Sequence, residues 1–126
     1  MITEDYVSFE IAKLLKEKGF NIRCLKAYWP DGSICNQAFS NAKEIAAYSR
    51  PTLQMTMKWL REVHNLNIEV YRTACGYLYI ISRVPTGTDL YSDGDAYDGD
   101  DENSGQWTTH EKACEAAIKY CLENLI

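Results

Sequence analysis

The chain has 126 residues, 46% of them hydrophobic, with 18 acids against 13 Lys and Arg for a formal charge of -5. That length suits one domain with one core. No apolar run approaches the roughly 18 residues that span a bilayer, and the acidic start Met1-Ile2-Thr3-Glu4-Asp5 lacks the apolar segment of a secretion signal, so a cytoplasmic protein is expected.

Thr3, followed by Glu4 and Asp5, predicts a helix start, because a hydroxyl caps free amides and carboxylates suit the positive end of the helix dipole. Val7, Ile11, Leu14 and Leu15 then recur at helical spacing, Lys16 and Lys18 fit the last turn, and Gly19 ends it with Phe20 folding back. Residues 22–29 and 34–39 read as two strands joined by the turn Pro30-Asp31-Gly32-Ser33. The segment 40–50 fits either a short helix through Ile45 and Ala46 or an irregular connection.

Pro51 suits the first position of a second helix, carried by Leu53, Met57, Leu60 and His64 and ended by Asn65. The period then changes to two, with Leu66, Ile68 and Val70 alternating against Asn67, Glu69 and Tyr71. A turn at Thr73-Ala74-Cys75-Gly76 leads into Tyr77, Leu78, Tyr79, Ile80 and Ile81, a second hairpin. Gln106 and Trp107 are candidates for a fifth short strand. Thr108 and Glu111 have capping-box spacing ahead of the stripe Cys114, Ala117, Ile118, Cys121, Leu122 and Leu125, which predicts a third helix. The expected fold is α+β: one small antiparallel sheet of two hairpins with three helices on one face.

Between the second hairpin and that helix lies the whole excess of negative charge. Asp89, Asp93, Asp95, Asp98, Asp100, Asp101 and Glu102 fall together with no basic residue between Arg83 and Lys112, and the rest of the chain is close to neutral. With its Gly and Ser content, the span 86–106 reads as a flexible, solvated acidic loop. Calcium ligation fails on register. With Asp93 at position one, Tyr97 takes position five and Asp98 the place of the required Gly; with Asp89 there, Tyr91 takes position three and Asp100 the place of the usual Glu. Mimicry of a nucleic-acid backbone by these carboxylates is a further reading, weaker than simple solvation.

Cys24, Cys35, Cys75, Cys114 and Cys121 form an odd set with no CxxC pair, which argues against a disulfide framework or a zinc knuckle and for small buried side chains. His64 and His110 fall at helix ends, where a structural role is the better reading. Aromatics concentrate in the strands as Tyr28, Trp29, Tyr71, Tyr77 and Tyr79, with Arg23, Lys26, Arg72 and Arg83 among them. Such a surface suits stacking and phosphate pairing, although strands also attract aromatics for packing alone. The candidate binding surface is therefore Lys58, Arg61, Arg72, Tyr77 and Tyr79, where the second helix runs into the second hairpin. No nucleophile–base pair, phosphate loop or metal cluster emerges, so a non-enzymatic module without cofactor is expected.

Three blocks carry a resemblance: Tyr6-Val7-Ser8-Phe9-Glu10-Ile11-Ala12-Lys13-Leu14-Leu15-Lys16-Glu17-Lys18-Gly19-Phe20; Pro51-Thr52-Leu53-Gln54-Met55 through Trp59-Leu60-Arg61-Glu62-Val63-His64-Asn65; and the stretch from Glu111-Lys112-Ala113-Cys114 to Asn124-Leu125-Ile126. Together they cover 46 of the 126 residues, more than a third of the chain. The chain resembles a family of small uncharacterised proteins of gut Bacteroides and their phages or prophages. The resemblance implies a phage accessory protein with a constant helical scaffold and variable hairpins, and it supplies neither an activity nor catalytic residues. The acidic loop is not part of that pattern. The expected partner is a host protein or a small nucleotide ligand, the second reading being a host-defence antagonist that sequesters a nucleotide signal; nucleic acid itself is disfavoured.

Overall fold

The computed structural model describes residues 2–36, 47–93 and 107–126. Within them the order is α1 (Phe9–Glu17), β1 (Ala27–Tyr28), β2 (Ile34–Cys35), β3 (Tyr48–Ser49), α2 (Leu53–His64), β4 (Leu66–Arg72), β5 (Tyr77–Arg83), β6 (Asp89–Ser92) and α3 (His110–Tyr120), continued by a wide π-helical turn over Cys121–Leu125. The fold is α+β. Its strands form two three-stranded antiparallel sheets, β2-β1-β3 and β4-β5-β6, so the two hairpins do not share one sheet. The helices are divided accordingly: α1 packs on β3, and α2 and α3 pack on the second sheet.

Helix α1 starts at Ser8, whose hydroxyl accepts from the Ile11 amide at 3.3 Å, and not at Thr3. Tertiary pairing overrides the local signal. Residues before Ser8 run extended beside the start of α2, with Val7 N donating to Pro51 O at 3.0 Å and Leu53 N to Asp5 O at 2.9 Å. Pro51 consequently sits one residue outside the cap, which is Thr52. At the other end of α1 the positive φ of Gly19 lets Phe20 N donate back to Leu15 O at 2.9 Å, and Phe20 is fully buried. Asn65 closes α2 in the left-handed region as expected.

In the first hairpin, among the described residues, Ala27–Cys35 and Tyr28–Ile34 pair, around a turn in which Gly32 takes a positive φ and donates to Trp29 O. The Asp31 carboxyl accepts from the amide and hydroxyl of Ser33, which hold its pKa below the usual value. On the other side of β1 lies β3, a strand with no periodic signal of its own. The expected strand end at Phe39 and the choice of helix or connection over 40–46 lie outside the described residues.

β4 and β5 pair over seven residues, from Leu66–Arg83 to Arg72–Tyr77. β6 was unexpected. Its residues belong to the span read as acidic loop, yet Asp89, Tyr91 and Ser92 pair with β5 and Asp93 is buried. The rest of that span, 94–106, lies outside the described residues. Trp107 forms an isolated bridge with Tyr77, exchanging two backbone bonds at 2.8 Å.

Thr109, one residue later than the expected Thr108, caps α3 and accepts from Lys112 N at 3.1 Å. The predicted stripe is buried except at its end: Cys114, Ala117, Ile118, Cys121 and Leu122 join the core formed by Ile11, Leu15, Leu60, Tyr79 and Ile81, while Leu125 is half-buried at its edge. Truncating a buried Ile or Leu to Ala costs about 2–5 kcal/mol. Ile118→Ala together with Leu122→Ala therefore removes most of a typical stability of about 5–15 kcal/mol. Urea denaturation should show a collapsed or absent transition for the double variant; a midpoint equal to wild type would place α3 outside the core.

Candidate functional site

A groove of about 460 Å³ opens between the start of α1 and α3, with Tyr79 and Trp107 among its lining residues. α3 supplies its longest wall. Lys112, Glu115, Ala116, Lys119 and Tyr120, with Glu123 from the π-helical turn, follow one another at alternating steps of three and one, a stripe flanking the buried one. α1 contributes Ser8, Glu10 and Ile11. Two contacts tie these walls together. Glu115 Oε1 accepts from the Ser8 amide at 2.9 Å, and Lys119 Nζ meets Glu10 at 3.0 Å, with Glu123 at 4.0 Å. Bonding to Glu10 raises the Lys119 pKa, which keeps the ammonium charged.

The aromatic side of the groove rests on Asp93. One carboxylate oxygen accepts from the Tyr79 amide at 2.9 Å and the other from Trp107 Nε1 at 2.8 Å. Asp93 N returns a bond to Tyr79 O at 3.3 Å. A carboxylate only 4% exposed needs such donors, since burying it unpaired is very costly. Asp93 thereby fixes the indole beside β5. Behind the groove, Tyr91 stacks on Tyr120 with centroids 3.8 Å apart and lies 5.9 Å from Tyr79. Burial, with the nearby Tyr91 and Asp93 charges, raises the Tyr79 pKa, so its hydroxyl stays protonated.

Of the five residues expected to form one binding surface, Arg72 and Tyr77 are cross-strand partners in contact, while Tyr79 is committed to the core. Tyr79 is 4% exposed and belongs to the core, reaching the groove at its edge. The phase of β5 explains this. Tyr77, Tyr79 and Ile81 pair with Arg72, Val70 and Ile68, and that face is the one covered by the core. Tyr77 is half-buried, its ring edge-on to His110 at 5.7 Å and under the Arg72 guanidinium at 5.1 Å. Lys58 and Arg61 are exposed on α2, and no hydrogen bond or ion pair among the described residues links them to Arg72 or the tyrosines. The groove itself was missed. Its sequence signal was the second stripe of α3, legible only once the first is known to be covered.

Other candidate chemistry is quiet. His110 Nδ1 lies 3.5 Å from Cys114 Sγ, a nucleophile–base spacing. Yet Cys114 is buried, and that burial pushes its thiol up to about 11, so the neutral thiol is the stable form. Burial likewise pushes Cys24 up to about 11 and Cys121 to about 12. His64 packs edge-on against Trp59 at 4.6 Å, and burial lowers its pKa. No group of three His, Cys, Asp or Glu among the described residues is placed to hold a metal ion, and no described helix is long and apolar enough to cross a membrane. Compared with protein-family models, curated proteins and solved structures, the chain matches none.

The packing separates Tyr79 from the two α2 cations. Tyr79→Ser should cost about 3–5 kcal/mol in chemical denaturation, as large aromatic truncations do, whereas Lys58→Ser and Arg61→Ser should stay within about 0.5 kcal/mol. Equal, small effects at all three positions would return Tyr79 to the surface.

Proposed function

We propose that the chain is a non-enzymatic binding module that seats a small ligand, or a short segment of a partner protein, in the groove between α1 and α3. One observation carries this reading: an open groove of about 460 Å³ braced by the Asp93–Trp107 hydrogen bond on one side and by the Glu115–Ser8 and Lys119–Glu10 contacts on the other. That volume falls within the roughly 300–1,000 Å³ usual for ligand pockets. Preorganised walls reduce the ordering cost of binding. The lining joins the aromatic bodies of Tyr79, Trp107 and Tyr120 to both signs of charge, which suits an amphipathic occupant. Three carboxylates, Glu10, Glu115 and Glu123, stand there against Lys112 and Lys119, so a polyphosphate or nucleotide is the weaker reading.

The absence of an enzymatic role is supported by the protonated thiols and by the structural engagement of the groove's acids. A phage or prophage accessory role in the cytoplasm of a Bacteroides host rests on the resemblance of the three helical blocks alone. In that reading α1 and α3 supply most of the site, with Tyr79 of β5 and Trp107 closing one side.

A fragment screen by protein NMR tests the groove directly. Amphipathic aromatic hits should shift the Trp107 indole and the Ala116 methyl, and Ala116→Arg, which places a long side chain in the groove, should abolish those shifts while leaving the fold intact. Hits that cluster elsewhere, or that survive Ala116→Arg, would contradict this site.

A further inference from the structure

A second pocket, independent of the groove, has sharper chemistry. It measures about 210 Å³ and is lined by Glu4, Tyr6, Cys24, Leu25, Arg50, Pro51, Thr52 and Met55, of which Arg50, Tyr6, Leu25 and Met55 matter here. The Arg50 guanidinium lies 4.5 Å from the centroid of Tyr6 and 5.2 Å from that of Tyr28. Tyr28 is itself fixed by a 2.7 Å bond from its hydroxyl to Val7 O, and the Arg50 amide is fixed by a 3.0 Å bond to Lys26 O. The Lys26 ammonium approaches the same Tyr6 ring at 5.2 Å. Two cations thus converge on one aromatic ring.

Neither cation has a carboxylate within salt-bridge distance among the described residues, and Arg50 Nε is buried with no protein acceptor. That is costly. A buried donor left unmet forfeits the hydrogen bond it made to water, a larger loss when it is charged. Tyrosine faces offset part of this through cation–π attraction, but they offer no lone pair in the plane of the guanidinium. Glu4 lines the same pocket and is exposed, without an ion pair to Arg50. Two apolar lining residues stand open to solvent: Leu25 is 80% exposed and Met55 41%.

We propose that this pocket binds a small oxyanion carried on a short aliphatic body, the head accepting from Arg50, with the Lys26 charge on the same Tyr6 ring adding to the attraction, and the tail covering Leu25 and Met55. A planar carboxylate or a phosphate matches the fork of guanidinium donors. Size admits such a ligand. About 210 Å³ is some seven times the roughly 30 Å³ share of one water, room for a short-chain carboxylate. The first turn of α2, which borders the pocket, carries no acidic side chain to repel such a head.

Heteronuclear NMR titration at constant ionic strength tests this with hexanoate, hexanol and inorganic phosphate as probes. Hexanoate should shift Tyr6, Arg50 and Met55 saturably and bind at least tenfold more tightly than either hexanol, which lacks the head, or phosphate, which lacks the tail. Arg50→Gln should weaken hexanoate at least tenfold, Arg50→Lys less, Lys26→Gln severalfold, and Glu4→Gln should strengthen it. Should Arg50→Gln not fold, Lys26→Gln, Glu4→Gln and the three-probe comparison still decide. Hexanol binding as well as hexanoate would reduce the pocket to an apolar patch, phosphate binding as well would remove the aliphatic wall from recognition, and non-saturating shifts or unchanged affinity in the Arg50 and Lys26 variants would overturn the site.

Discussion

Everything in this fold leans on one stripe of α3 and the π-helical turn that extends it. Ala113, Cys114, Ala117, Ile118, Cys121 and Leu122 are all essentially removed from water, and α3 is the element that touches α1, α2, β4 and β5. Small residues at 113, 114, 117 and 121 let the helix approach its neighbours closely, while Ile118 and Leu122 supply the apolar area. The second sheet packs against α2 and α3, and cover of that kind is one way a few strands become stable in water.

Because the inward face of α3 is committed to the core, its flanking residues are held in place as a by-product. Lys112, Glu115, Lys119 and Glu123 stand in a fixed row, and the row meets α1 through Ser8 and Glu10. Exposed ion pairs of this kind add little stability, so the value of the Lys119–Glu10 contact is in positioning. Asp93 differs in kind. It is a buried carboxylate with its oxygens engaged by a backbone amide and an indole, and it couples the end of β6 to Trp107 across residues 94–106.

The helices were legible in the sequence because a 3.6-residue period and its caps are local. The α2 and α3 stripes and the stops at Gly19 and Asn65 all appear where spacing puts them. What went astray depended on partners remote in sequence. Thr3 loses its cap role because the segment before Ser8 pairs with the start of α2. The face of β5 was ambiguous, since Leu78 and Ile80 on one side are as apolar as Tyr77, Tyr79 and Ile81 on the other. Charge density alone marked Asp89 and Asp93 as loop, and composition cannot distinguish a solvated Asp from one that caps an indole. The groove residues were visible only as polar positions on a helix, and the Arg50 cluster assembles residues from the N-terminal segment, β1 and the chain between β3 and α2.

The dependence of the second sheet on α3 is most directly measured by native-state hydrogen exchange. If the α3 stripe holds the sheet, the amides of Ala117 to Leu122 and those of Tyr79 to Ile81 should exchange with the same opening free energy, equal to that of global unfolding. An α3 that opens at a clearly lower free energy while β5 stays protected would show a sheet that stands without its helix, and would contradict this account.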